Sequence, residues 1–376
     1  MTKRVLIAPN AFKHSLSAID VALTIKSTLE SFKLNFNYEL APIADGGDGT
    51  IDVMNFYFKK SKFIKANVND PLMREIQSEW LLLDDETAVI ELAKASGISL
   101  LKQNELNPMW ANTFGTGELI LQALAKRCKK IVICLGGSAT IDGGLGIVQA
   151  LGGKMFDKKK QPVKAGGGFL SSVEKIDLSS LDKRIKDVKL NVLCDVKSTL
   201  IGKSGTINFS SQKGASEGEK VVLELGMKHF AEVIKKITNL DCDNEPMVGT
   251  AGGVAYGLKT LLNAELFLGF TYLSNMISLE DKVKSSDLVI TGEGYLDSQT
   301  LMGKAVFELA RLTNKHHKKV IVICGDYEKN INWSEHFVDT VIQIKPENMP
   351  VDESIKNTKN LIQSAIKREY EIFRNY

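Results

Sequence analysis

No two of the five cysteines, at 128, 134, 194, 242 and 324, are spaced as CxxC, and their number is odd. The usual zinc-ribbon and dithiol redox spacings are therefore absent. Cys134, Cys194 and Cys324 each close an apolar run, where a free thiol packs as a small hydrophobe. A reducing, cytoplasmic compartment fits this pattern. The sequence also lacks a block of one charge. Its 48 basic and 45 acidic residues leave a formal charge of +3, and Lys158-Lys159-Lys160 reads as a solvated turn, so nothing points to a nucleic-acid partner. A membrane span is missing as well. The nearest candidate, Thr260 to Leu279, is interrupted by Asn263, Glu265 and Asn275 and reads as a buried helical hairpin. Lys3-Arg4-Val5-Leu6-Ile7-Ala8 reads as a strand with polar flanks, and no signal peptide is expected.

The common catalytic signatures fail one by one. Gly202-Lys203-Ser204 would need a glycine five residues earlier to make a phosphate-binding Walker loop, and Lys197 stands there. Gly292-Glu293-Gly294 and Gly115-Thr116-Gly117 both lack the third glycine of a dinucleotide fingerprint, with Asp297 and Ile120 in its place. There is no GxSxG elbow and no HExxH, and the five histidines are scattered. P-loop enzymes, ordinary nicotinamide dehydrogenases and zinc enzymes are all disfavoured by these absences.

What is present is an ordinary globular composition, 44% hydrophobic and 25% charged, over a length that suggests two domains. Short bare apolar strands alternate with helices, which predicts parallel sheets covered on both faces. Val5–Ala8 leads to a helix capped by Ser17, with Asp20 three residues on. Its face is Ala18, Val21, Ala22, Ile25, Leu29 and Phe32. Tyr38–Ile43 runs into Ala44-Asp45-Gly46-Gly47-Asp48-Gly49-Thr50. Ile131–Leu135 runs into Gly136-Gly137-Ser138-Ala139-Thr140-Ile141-Asp142-Gly143-Gly144. Leu288–Ile290 runs into Thr291-Gly292-Glu293-Gly294, and Val320–Cys324 into Gly325-Asp326. The last helix, Ser354 to Phe373, is expected to pack on a sheet. The expected organisation is a Rossmann-like doubly wound α/β domain, 1–67 with 281–376, into which a second α/β domain, 68–280, is inserted.

In such sheets ligands bind beyond the carboxyl ends of the strands, where these glycine segments lie. Glycines let backbone N–H groups approach phosphate oxygens. The carboxylates of the same segments suit Mg²⁺, which takes one or two of them together with phosphate oxygens. Loops that supply both are what a metal–nucleotide site requires.

These segments, in this order, resemble the bacterial glycerate kinase family, the class that includes glycerate 2-kinases. The matching stretches are Ala8-Pro9-Asn10-Ala11-Phe12-Lys13-His14-Ser15-Leu16, the Ala44–Thr50 and Gly136–Gly144 segments, and Asn107-Pro108 with Asn112–Ile120. Cys194-Asp195-Val196, Gln212-Lys213-Gly214-Ala215, Ala251-Gly252-Gly253 and Thr291–Thr300 complete the set. The resemblance implies ATP-dependent, magnesium-assisted phosphorylation of D-glycerate, with 2-phosphoglycerate favoured over 3-phosphoglycerate as the product. It also implies two α/β domains with the active site in the cleft between them. The chain departs from the family pattern at Ala11, Ile141, Ser198 and Tyr295, where polar groups, including an arginine at 295, are usual. Two alternatives thus stay open: a kinase of the same fold acting on another small hydroxy acid, and a catalytically weakened ligand-binding relative.

On this basis Asp195 is read as the catalytic base because it ends a buried strand. Lys13, Asp45 and Glu293 join it as catalytic candidates. Asp48, Asp45 and Glu293 are the magnesium candidates. Gly136, Gly137, Ser138, Asp142, Gly143, Gly292 and Gly294 are the nucleotide contacts, and His14, Gln212, Lys213 and Asp297 the substrate contacts. Each has a structural alternative. Asp45, Asp142 and Asp297 are each candidate helix caps, and Lys13 and His14 are candidate solvated loop residues. The oligomeric state is not legible in the sequence.

Overall fold

The computed structural model describes residues 2–84, 86–298 and 300–376, with the backbone alone at Met302. Its strands, in chain order, are β1 (Lys3–Ile7), β2 (Phe36–Leu40), β3 (Lys62–Asn69), β4 (Glu75–Leu82), β5 (Thr87–Glu91), β6 (Lys130–Cys134), β7 (Lys154–Phe156), β8 (Lys175–Asp177), β9 (Lys189–Cys194), β10 (Glu265–Leu268), β11 (Leu288–Leu296), β12 (Lys319–Tyr327) and β13 (Thr340–Gln343). The chain divides into two compact units, Met1–Asp45 with Phe270–Tyr376, and Gly46–Gly269.

The smaller unit is built on a five-stranded sheet in the order β13-β12-β11-β1-β2, with every neighbouring pair parallel. Its strands are short apolar runs because both faces are covered. Val5, Ile7, Ile290, Ile321 and Ile323 are at most 1% exposed. They pack with Val21, Ile25 and Leu29 of helix Ala18–Glu30 and with Ile362 and Ile366 of helix Val351–Arg368. Each such side chain contributes about 1.5–3 kcal/mol when fully buried. Ser17 caps the first of these helices as expected, its Oγ accepting from the Asp20 amide (3.1 Å).

The larger unit carries a six-stranded mixed sheet, β10-β9-β6-β5-β4-β3. The run from β10 to β5 is parallel, and β4 and β3 add two antiparallel edge strands. Helix Phe114–Ala125 packs Leu119, Ile120 and Ala123 onto this sheet in one core. A second core gathers Leu223, Met227, Phe230 and Ile234 of helix Glu217–Thr238 around Ile141, Leu145 and Val148. Fold class and the two-domain α/β arrangement are thus as read from the sequence.

Three local readings are corrected. Thr260 to Leu279 is not a helical hairpin, since helix Thr250–Leu262 ends at an αL Asn263 and the chain re-enters the sheet as β10 before helix Gly269–Met276. Thr291–Gly294 and Gly325-Asp326 are not loops, because β11 and β12 run straight through them. Glycine is required at 292 for packing: a Cβ there would lie 2.0 Å from the Ile323 carbonyl oxygen of the neighbouring strand. The smaller unit's first segment ends at Asp45. Helix Thr50–Tyr57 and β3 belong with the larger unit, where the Ile51 amide donates to Glu91 and β3 pairs with β4.

Candidate active site

In the larger unit the strand β6 delivers a tight turn at Gly136 and Gly137, the second with φ +76°. Glycine is obligatory here on two counts: the left-handed backbone and the neighbours. A Cβ at Gly136 would lie 2.4 Å from the Gly47 Cα and 3.4 Å from Asp195 Oδ2, and one at Gly137 would lie 2.8 Å from Asp48 Oδ1. The turn is therefore walled by two carboxylates, Asp48 from the segment after β2 and Asp195 from the end of β9. The Gly136 amide is used inside the protein, donating to Gly46 O (3.2 Å). The Gly137 and Ser138 amides have no acceptor among the described residues.

Behind this turn stands Lys213, only 5% exposed. Its Nζ donates to Ser138 Oγ (2.7 Å) and to the Thr140 carbonyl (2.8 Å). Burial pulls its pKa down to about 8, against the pull of Asp195 and Asp142. Gln212, its neighbour, is exposed on the short turn Ser211–Lys213. Asp142 is fully buried and its carboxylate is spent on the frame: Oδ2 accepts from the Thr113 amide and hydroxyl and the Gly146 amide, and Oδ1 from the Gly144 amide. Gly143 donates to Gly252 O (3.0 Å) and packs under Phe230, whose Cε1 would be 2.6 Å from a Cβ at that position. Asp142 and Gly143 thus hold the loop's shape.

The smaller unit has its own cluster, beside a cavity of about 440 Å³ at the carboxyl ends of β1, β11, β12 and β13. Asp45 accepts from the Asn10 side-chain amide (3.4 Å), and the N-cap position of helix Thr50–Tyr57 is Gly49. Glu293, 8% exposed, accepts at Oε1 from the Thr300 hydroxyl (3.0 Å). Burial raises its pKa to about 7, with Asp45 and Asp297 adding to the rise and Lys304 opposing it. Asp297 caps the following turn, accepting from the Thr300 amide (2.9 Å), and pairs with Lys304 Nζ (3.4 Å). Lys13 and His14 are exposed on the cavity's edge, His14 with φ +65°. Gly294 also lines the cavity. Gln299, in the last motif stretch, lies outside the described residues.

Two charged cavity residues escaped the sequence reading: Lys304, and Lys345, which pairs with Asp326 at 3.0 Å. Gly303, with φ +106° just ahead of helix Ala305–Lys315, was the available signal for Lys304. Lys345 has none, being a lone lysine beyond a strand. The departures are equally informative. Ala11 and Tyr295 line the cavity, and Tyr295 is 49% exposed. Ile141 is wholly buried, and the buried Ser198 hydroxyl has no partner among the described residues.

The donor set suits magnesium and nucleotide phosphates. Among the described residues no three His, Cys, Asp or Glu side chains form a metal cage. Mg²⁺ needs only one or two carboxylates, taking its other oxygens from phosphate and water. Carboxylates beside amide-bearing glycine turns supply that kind of site.

Fold and site together define a class: an α/β protein of two sheet units, each presenting lysines and carboxylates at the carboxyl ends of its parallel strands. Comparison with known proteins narrows it. The model of the glycerate kinase family matches residues 5–374. The chain is 39% identical over 365 residues to the glycerate 2-kinase of Escherichia coli K12, covering 96% of both chains. It is 36% identical over 367 residues to the glycerate kinase of Bacillus subtilis 168, covering 97% of this chain and 96% of the other. A crystal structure from Salmonella typhimurium LT2, of a protein provisionally named glycerate kinase 2, superposes with a TM-score of 0.82 at 32% identity, covering 100% of this chain and 99% of that one. The chain belongs to the glycerate kinase family and is a phosphotransferase with an alcohol group as acceptor. No helix among the described residues is long and apolar enough to cross a membrane.

Proposed function

We propose that this enzyme transfers the γ-phosphoryl group of ATP to the 2-hydroxyl of D-glycerate, with Mg²⁺ as cofactor. The observation that carries the reading is the Gly136–Gly137 turn, with Asp48 and Asp195 against its two glycines and the buried Lys213 behind it. Phosphoryl transfer demands positioning and charge neutralisation more than covalent chemistry, and this arrangement offers amides, carboxylates and a cation within one loop system. The relative named glycerate 2-kinase supports the regiochemistry.

In this reading the Gly137 and Ser138 amides bind phosphate oxygens, and Lys213 fixes Ser138 and Thr140 so that those amides stay aimed. Asp195, rigid at the end of β9, accepts the proton of the attacking hydroxyl. Lys13 balances phosphate or carboxylate charge, and Gln212 contacts the acceptor. Asp48, Asp45 and Glu293 would hold Mg²⁺, which neutralises phosphate charge when bound. Five free, buried thiols fit work in a reducing, cytoplasmic setting.

The test is regiochemical. The enzyme is run to completion with ATP, Mg²⁺ and D-glycerate, and the product is read by phosphorus NMR. 2-Phosphoglycerate is expected. 3-Phosphoglycerate would move the acceptor position, and transfer only to another hydroxy acid would replace the substrate. No transfer to any hydroxy acid would defeat the reading.

A further inference from the structure

We infer that the cavity of the smaller unit holds the nucleoside end of the phosphoryl donor, with the purine against its apolar wall. This rests on the reading of the enzyme as an ATP-dependent kinase and assigns one part of the donor to one unit.

Four observations lead there. The first is topological. The order β2-β1-β11-β12-β13 is the doubly wound pattern 2-1-3-4-5, in which the chain turns outward in opposite directions from the first and third strands and leaves a crevice at their carboxyl ends. Asn10 to Ser15 follow β1, and Glu293 to Asp297 end β11 or follow it. Both stretches line the cavity.

The second is size. At about 440 Å³ the space lies in the range of about 300–1,000 Å³ that takes drug-sized ligands. A three-carbon acid would fill a fraction of it and leave water against its walls.

The third is the chemistry of the walls. Part of the lining is apolar: Phe12 from the segment after β1, Ile344 after β13, and Val351 and Ile355 from helix Val351–Arg368, with Tyr295 on β11. Glycerate has no apolar surface to place there, whereas a purine ring has two faces. That wall is held in place, since the Ser15 hydroxyl donates to the Ile355 carbonyl (2.8 Å) across 340 residues of sequence.

The fourth is the charged part of the same lining, where Asp326 lies beside Tyr295 on the neighbouring strand. Asp326 ends β12 and is fixed by Lys345 (3.0 Å). This carboxylate, with Lys345 on one oxygen and the Tyr327 amide (2.9 Å) and Lys329 (4.0 Å) on the other, keeps acceptor capacity for a vicinal diol. Ribose supplies that diol. Lys304 and Lys13, which also line the cavity, supply cations for the phosphates that follow.

The experiment uses the intact wild-type enzyme. It is photolabelled with 8-azido-ADP, with and without excess ATP, and the labelled peptides are mapped by mass spectrometry. Labelling within residues 11–15, 295–297 or 344–358 that ATP suppresses is the expected result. ATP-suppressible labelling confined to residues 46–269 overturns the inference and leaves the kinase reading intact. The absence of any ATP-suppressible labelling defeats both. Ile355→Trp adds a kinetic readout by filling the cavity: KM for ATP should rise about tenfold while KM for glycerate stays within about twofold. A rise in the glycerate KM alone would give the cavity to the acceptor and overturn the inference.

Discussion

Glu91 closes β5 with a carboxyl group that is 1% exposed, and its Oε1 accepts from the Ile51 amide (2.9 Å). Burial raises its pKa to about 8, more than the Ile51 amide and Lys94 can offset. The folded protein therefore prefers Glu91 neutral. Below the ordinary carboxyl range both folded and unfolded states are protonated. Between about 4.5 and about 8 the unfolded chain gives up the proton and the folded one keeps it, so stability falls as pH rises and the full cost stands above about 8. Glu91→Gln keeps the acceptor for Ile51 without the titration. It should be more stable than wild type at pH 9, by about 5 kcal/mol at most, with little difference at pH 4. Urea titrations at the two pH values measure this, and an equal effect at both would show that ionisation is not the cause. Asp195 makes a different demand. Asp195→Asn keeps shape and removes the proton acceptor, so kcat should fall by roughly 10²–10⁴-fold with substrate KM values little changed. Retention of wild-type kcat would end its assignment as base.

Between single residues and the whole lie the turns and caps, and here sequence and structure can be compared. The Ser17 cap and the apolar stripe of helix Ala18–Glu30 were legible because the cap and the helical period are written in neighbouring residues. The Gly136–Gly137 turn was legible as a glycine pair after an apolar strand. Its partners Asp48 and Asp195 were legible only as candidates, because no local pattern says that residues 48, 137 and 195 meet. Gly292 misled: glycine in sequence suggests a turn, yet this one admits the backbone of β12. Lys304 and Lys345 went unseen because a charge brought in by topology leaves no periodic trace. The turn itself is testable with a built-in control. Gly137→Ala places a methyl 2.8 Å from Asp48 Oδ1 at φ +76°, whereas Gly202→Ala, at φ +85°, meets nothing within 4 Å. Both should lose about 1–2 kcal/mol to the left-handed backbone, but only the first should lose most of its turnover. Equal activity in the two variants would separate the turn from catalysis.

At the scale of the molecule, the larger unit is one continuous segment with two cores of its own, while the smaller is assembled from both ends of the chain. Residues 46–269 expressed alone should melt as a cooperative unit. Residues 1–45 alone should stay unfolded, because β1 needs β11 and helix Ala18–Glu30 needs helix Val351–Arg368. Circular dichroism during a urea titration distinguishes these outcomes, and a non-cooperative 46–269 fragment would mean its cores depend on the rest of the chain. The five thiols are distributed just as unequally. Cys324 alone belongs to the smaller unit, the other four belong to the larger, and all are buried. An alkylating reagent can reach them only when the surrounding structure opens. The chain thus carries a separate clock in each half: the rate at which Cys324 is modified times the breathing of one unit, and the rates at the other four time that of the second, with no foreign label introduced.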